Sequence, residues 1–151
     1  MSRMLKSVRV VRSVDTAEVL GPQRQRLTPC ITAEVCGTEG ISAGTVYMPP
    51  GAMSRAHYHA HSEIVVFCLR GNAVTLIGPE LEPYFHGPGE FIYIPEGIVH
   101  VAVNLGVSDD LVAVEMRTDP RFNDDVVLTP EYDEAAAAVA TRLRAELPVA
   151  T

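Results

Sequence analysis

Cysteine is scarce in this sequence. Cys30, Cys36 and Cys68 leave one thiol over whichever two pair, and their spacing matches no zinc-finger pattern. Neither a disulfide framework nor a cysteine-built zinc module therefore organises the chain, and reduced, mostly buried thiols are expected. Basic charge is also in short supply, with 12 Lys and Arg against 19 Asp and Glu for a formal net charge of -7. A surface of that sign repels phosphate backbones, and the basic residues between Arg3 and Arg12, with Arg24 and Arg26, are diluted by apolar neighbours. Nucleic acid is not an expected partner. Long apolar runs are missing as well: no stretch approaches the roughly 20 residues of a membrane span, and Met1 to Leu20 lacks the apolar core of a secretion signal. The expectation is a cytoplasmic protein without a membrane partner. No internal repeat is present.

What the sequence does have is a globular balance, 47% apolar over 151 residues, which is enough for one core and one domain. From Ile31 to Met116 short apolar stretches alternate with glycine and proline, the pattern of a many-stranded antiparallel fold. Strands are predicted at Ile31 to Cys36, Thr45 to Met48, Glu63 to Leu69, Ala73 to Ile77, Phe91 to Ile94, His100 to Asn104 and Leu111 to Met116. Pro49-Pro50-Gly51, Arg70-Gly71-Asn72, Gly87-Pro88-Gly89 and Pro95-Glu96-Gly97 separate them as turn formers. Glu131 to Glu146 reads differently. It is rich in alanine and carries Ala135, Val139 and Leu143 at fourfold spacing, which predicts an amphipathic helix with Thr129 as N-cap, Pro130 in the first turn and Pro148 at its end. The N-terminal segment, with Val8, Val10 and Val11, is read as an edge strand or a dimer arm.

The chemistry is concentrated in two blocks. In an extended strand His57 and His59 point to the same face, so two imidazoles converge on one point. Glu63 is four positions beyond His59, an even offset that returns a carboxylate to that side if the strand runs on without a bulge. His61 shares the same period and competes with Glu63 for the place. Imidazoles and a carboxylate suit iron(II), manganese, nickel, cobalt or zinc. About forty residues on, Gly89 to Asn104 reads as a strand, a Pro95-Glu96-Gly97 turn and a second strand opening at His100, which can face inward as a further ligand.

These two blocks resemble the two motifs of the cupin superfamily. Gly51, His57, His59 and Glu63 fit the first, with seven residues between Glu63 and Gly71 where the pattern has six. Either the strand bulges there or the glycine turn is displaced by one. Gly89, Pro95, Gly97, His100 and Asn104 fit the second in full. The resemblance covers Thr45 to Met116 and implies an all-β jelly-roll barrel of two packed antiparallel sheets. With it come an N-terminal arm or edge strand over 1–30, a barrel over 31–120 and a C-terminal extension with the helix over 121–151. It further implies one divalent transition metal per chain, Fe2+ favoured, held by His57, His59, Glu63 and His100.

Around that centre, alternation from Glu63 places Val65, Phe67 and Leu69 on the ligand face. Tyr47, Phe67 and Tyr93 are candidate substrate liners, and Arg55 a candidate for an anionic substrate at the mouth. Glu115 is a candidate general base if it faces inward, with Val112, Val114 and Met116 the competing inward set. Asn104 is read as tying down backbone in a turn, and His86 as a loop residue. The functional expectation is a metal-dependent enzyme on a small organic molecule, an iron(II)-type dioxygenase first. Isomerase, cyclase or decarboxylase chemistry, or a non-catalytic small-molecule binder, would use the same residues. A homodimer is expected.

Overall fold

The structure is a computed structural model that describes residues 7–147. Arg3 and Pro148, which entered the sequence reading, lie outside them. Eleven strands form two antiparallel sheets packed face to face. The first contains β1 (Val19–Leu20), β2 (Arg26–Ile31), β3 (Ser42–Met48), β5 (Ile64–Arg70), β8 (Phe91–Ile94) and β10 (Leu111–Arg117), in the order β1-β2-β3-β10-β5-β8. The second contains β4 (His57–His59), β6 (Ala73–Ile77), β7 (Glu82–His86), β9 (His100–Asn104) and β11 (Val126–Leu128), in the order β11-β4-β9-β6-β7. This is the expected jelly roll, although its strands begin before residue 31 and end beyond residue 120. β11 pairs with β4 and so brings part of the expected C-terminal extension into the sheet that carries the histidines.

The predicted strand at Ile31 to Cys36 is instead the end of β2 followed by a helical turn, α1 (Ala33–Cys36). Its caps explain the difference. The Thr32 side chain accepts from the amide of Val35 at 3.1 Å, and Gly37 adopts a left-handed φ of 72° at the C-terminus. At Gly71 the φ is 107° and an added Cβ would stand 2.7 Å from the carbonyl oxygen of Asp110, so only glycine fits this turn between β5 and β6.

The two sheets are covered unequally. A single 3-10 turn at Pro130–Tyr132 leads into α2 (Asp133–Glu146), which buries Ala136, Ala140 and Leu143 against Val74, Leu76, Val101 and Val103 on the outer face of the five-stranded sheet. The buried stripe is thus one residue from Ala135 and Val139. Thr129 makes no side-chain capping bond. Asp133, in the first turn of α2, instead reaches across to the residues just ahead of β4: its carboxylate accepts the amide of Ala56 at 2.7 Å and pairs with Arg55 at 3.5 Å. Among the described residues no helix covers the outer face of the six-stranded sheet in the same way. Val8 is fully and Val10 almost fully exposed, and neither belongs to a strand. All three cysteines are free, Cys68 buried and Cys30 and Cys36 half-buried. Among the described residues no helix is long and apolar enough to cross a membrane.

Candidate metal centre

β4 and β9 are neighbours in the five-stranded sheet, with His57 opposite His100 in register. Their rings lie 4.3 Å apart, and the His59 ring is 5.3 Å from His57 and 5.4 Å from His100. One nitrogen from each of the three imidazoles lies within 4.8 Å of the other two. The turn that sets this up is Pro95-Glu96-Gly97, whose Gly97 amide donates to the His59 carbonyl at 2.8 Å and so pins the start of the second motif to the strand of the first.

The second nitrogen of every ring is already engaged. Nδ1 of His57 lies 2.7 Å from the Arg55 carbonyl, Nδ1 of His100 lies 2.9 Å from the Ile98 carbonyl, and Nδ1 of His59 lies 3.2 Å from Oδ1 of Asp125. Carbonyl and carboxylate oxygens only accept, so each Nδ1 carries the proton and each Nε2 is left with a bare lone pair. That is the tautomer a metal ligand needs, with the oriented outer partner that accompanies ligating histidines. Burial lowers all three pKa values. His57 falls well below the ordinary range through burial and then the neighbouring His100. His59 falls through burial and the nearby Arg117, and His100 is pushed down by burial to about 3. The cluster is three neutral imidazoles, a donor set that fits a divalent transition metal.

Asp125 was not foreseen. Its carboxylate accepts from His59, from the Ser62 hydroxyl at 2.6 Å and from the His61 amide at 3.1 Å. Burial opposes its charge, but these hydrogen bonds outweigh burial and hold its pKa below the ordinary value. Nothing local in the sequence points to it, because it reaches β4 only through the pairing of β11.

Several expected site residues are elsewhere. Glu63 is exposed and faces Tyr93 on the outer surface, and its backbone amide is held by Thr118 Oγ1 at 2.8 Å. It is not with the histidines, because Ala60 to Glu63 bends between β4 and β5 and the alternation from His59 does not carry through. His61 is exposed as well. The same break inverts β5: Ile64, Val66 and Cys68 face inward, while the Phe67 ring lies 4.5 Å from that of exposed Phe91, tilted by 43° to it, and Leu69 is exposed. Tyr93 is exposed, and Tyr47 lies outside under the Arg26 guanidinium at 4.4 Å. None of these three aromatics lines the interior. Arg55 is committed to Asp133.

Glu115 does face inward. β10 buries Leu111, Ala113, Glu115 and Arg117, not the valine set. The Glu115 carboxylate pairs with Arg117, which also donates to the carbonyl of Phe122 and to Asn123 Oδ1 at 2.8 Å. Between the sheets is a cavity of about 30 Å³, lined by Glu115, His100, His86, Thr75 and Gln25 among apolar side chains that include Val46, Val66 and Ala102. Asn104 has the role expected of it: its side-chain amide donates to the carbonyls of Met48, Pro49 and Asp109, and its oxygen accepts the Gly106 amide.

The chain belongs to the cupin family, which it matches over residues 19–146. No curated protein matches it by sequence. Among solved structures it is similar to the polyketide cyclase RemF from Streptomyces resistomycificus, at 19% identity and a TM-score of 0.71 over 89% of this chain and 98% of that one. It is similar to Lactobacillus farciminis oxalate decarboxylase, at 18% identity and a TM-score of 0.65, over 89% of this chain but 42% of that one. A sugar phosphate isomerase of the cupin superfamily from Silicibacter pomeroyi matches at 17% identity and a TM-score of 0.59, over 73% of this chain and 75% of that one. At such identities the likeness is one of fold.

Proposed function

We propose that the chain is a metal-dependent enzyme that carries out non-oxidative chemistry beside a carbonyl of a small organic molecule: cyclisation, isomerisation or decarboxylation. The observation that carries this reading is the cluster of His57, His59 and His100, three neutral rings with every Nδ1 engaged and every Nε2 free. His57, His59 and His100 would hold the ion, and zinc, nickel, cobalt, manganese and iron(II) all accept such ligands. When bound, a divalent ion supplies Lewis-acid polarisation of a carbonyl oxygen. The chain supplies the remainder. Val46, Val66 and Ala102 keep the cavity wall apolar and exclude water. Glu115, oriented by Arg117, presents a carboxylate to the cavity and would take a proton from the carbon next to the carbonyl.

The oxygenase expected from the sequence drew on His57, His59 and His100 together with the carboxylate of Glu63. With Glu63 on the outer surface the three histidines remain together and the carboxylate is not among them. The fold is shared with proteins named as a cyclase, a decarboxylase and an isomerase, which agrees with the proposal without choosing among the three. The test is elemental analysis of the purified protein, followed by mass spectrometry of products from small β-keto compounds with and without chelator, and an oxygen electrode on the iron(II)-loaded form. Chelator-sensitive product without oxygen uptake is expected. Oxygen uptake matching product formation would replace this reading with a dioxygenase. A protein that neither contains nor is thermally stabilised by any of these metals would overturn both.

We propose further that the chain forms a homodimer through the outer face of the six-stranded sheet. α2 covers the other sheet, whereas Leu69, Phe91 and Tyr93 are all more than half exposed, with half-buried Val65 and Phe67 beside them on an edge of this one. A contiguous apolar patch of that kind favours association, and a second copy brings an identical patch to meet it.

A further inference from the structure

The cavity beside Glu115 and His100 has about 30 Å³, room for one or two water molecules. Pockets that take small organic molecules are at least about tenfold larger, so a substrate reaches the histidines only after a side chain gives way. One segment stands in the path. After Arg117 the chain leaves the six-stranded sheet, runs from Thr118 to Asp125 and joins the other sheet as β11, so it spans the gap between the sheets. Asp125 at its far end holds Nδ1 of His59, which sets this crossing at the histidine end of the barrel.

Phe122, in the middle of the segment, turns inward. It is 1% exposed, its ring centre lies 4.2 Å from the guanidinium carbon of Arg117, and its Cζ stands 3.1 Å from where a Cβ on Gly44 would be. Gly44 belongs to the buried face of β3 that carries Val46 and Met48 along the cavity wall, and it is the register partner of Glu115. The ring therefore fills the space between the sheets at the row of Glu115, where the cavity stops. Phe122 also borders a surface groove of about 1390 Å³, whose walls include Arg9, Thr32 and Asn123. It stands between the two. Its φ is 77°, a left-handed conformation that bulky residues rarely adopt, and such outliers gather at active sites and switch regions where the surroundings impose them. Here the segment's own bonds do so. The Phe122 amide donates to the Asp119 carbonyl at 3.1 Å, its carbonyl accepts from Arg117, and the Asp119 carboxylate accepts the amides of Arg121 at 2.9 Å and Asp124 at 3.0 Å. The Ala33 amide, on the Pro120 carbonyl at 2.8 Å, ties the segment to α1.

We propose that Phe122 is the gate of the histidine cluster: its ring swings out into the groove to admit the substrate, which takes the seat over Gly44 and beside Glu115 that the ring leaves. The proposal rests on the reading of the cluster as a metal centre acting on a small organic molecule. With the backbone of the segment tied down, the motion is one of the side chain, and the groove supplies the room for it. Phe122 thereby also sets the size of what is accepted, because the vacated seat is about one aromatic ring in volume. Gating of this kind admits the substrate and keeps bulk water from the reacting groups between visits.

The experiment follows, by tandem mass spectrometry, how fast diethyl pyrocarbonate acylates His57, His59 and His100 in the full chain without metal. The reagent attacks neutral imidazoles and is itself a small carbonyl compound, so its rate reads passage to the cluster. Relative to the unaltered protein, F122A should react at least about tenfold faster at these three residues and F122L about threefold faster, with exposed His61 unchanged. L76A opens a hole under α2 on the far side of the five-stranded sheet and should stay within about twofold of the unaltered rate, which separates an opened gate from general loosening. Rates in F122A and F122L equal to that of the unaltered protein, or raised no more than in L76A, would overturn the gate. F122L alone decides the matter if F122A does not fold. Zinc added before the reagent should protect the three histidines in every variant. Rates raised in F122A and F122L without protection by zinc would leave the gate standing and overturn the metal reading alone.

Discussion

Asp125 Oδ1 lies 3.2 Å from Nδ1 of His59, while Oδ2 of the same carboxylate holds the Ser62 hydroxyl and the His61 amide. One side chain from the strand-poor end of the chain thus fixes both the tautomer of His59 and the bend that follows it. D125A should weaken zinc or cobalt binding about 10- to 100-fold, the usual effect of losing an outer partner of a ligating histidine, with D125N less affected. Competition with a chromophoric chelator measures both.

Glu63 and the three histidines should separate cleanly in the same assay. E63Q should change metal affinity less than twofold, because the carboxylate is exposed on the outer surface. H57A, H59A and H100A each remove a third of the donor set and should lower affinity by at least about a hundredfold. An E63Q protein that loses its metal would return the carboxylate to the centre.

Acid should destabilise the metal-free protein through its buried imidazoles. Folding lowers the pKa of His57, His59 and His100, the last to about 3, so between that value and the ordinary 6.5 the unfolded chain binds more protons than the folded one. Stability from these groups is complete above pH 6.5 and falls as pH drops through that window, with His100 alone contributing a loss of roughly 3 kcal/mol by pH 4. Denaturant midpoints should stay nearly level from pH 7.5 to 6.5 and then fall down to pH 4 for the unaltered protein. The slope should flatten in H100F. A flat profile in the unaltered protein would count against neutral buried rings.

Arg117 and Glu115 are 1% and 8% exposed at their side chains, so neither charge has water to fall back on. R117M leaves a carboxylate buried without its partner and should cost about 3–5 kcal/mol, whereas E115Q/R117M should recover most of that loss. Urea denaturation of the three proteins checks this, and equal stabilities for the single and double variants would show that the pair is not coupled.

F91D places a charge in the exposed patch beside Phe67 and should shift the protein to monomer in light scattering at micromolar concentration without lowering its melting temperature. A dimer that survives F91D would have to form elsewhere.

How much of this was legible in the sequence depends on how local each signal is. The His57 and His59 pair and the Pro95-Glu96-Gly97 turn before His100 are written in short-range spacing, and β6, β8 and β9 run over the residues that alternation predicted. Glu63 was misplaced because an even count preserves a face only along continuous strand, and Ala60 to Glu63 bends. That one parity error also turned Val65, Phe67 and Leu69 inward in expectation. Asp125 and the cover by α2 arise from pairings across long stretches of chain, which periodicity does not encode. The turn of helix at α1 was readable in principle, since Thr32 and Gly37 are ordinary capping residues, but the apolar run around them was given more weight.

The grip of Asp133 on the Ala56 amide, one residue ahead of His57, bears on how the protein is handled at the bench. A fragment ended after Leu128 would retain all eleven strands and every histidine, yet it would lose that clamp and expose Val74, Leu76, Val101 and Val103 to solvent. Recombinant versions should therefore be cut no earlier than Leu147, and a purification handle placed hard against α2 should be removed before metal stoichiometry is counted.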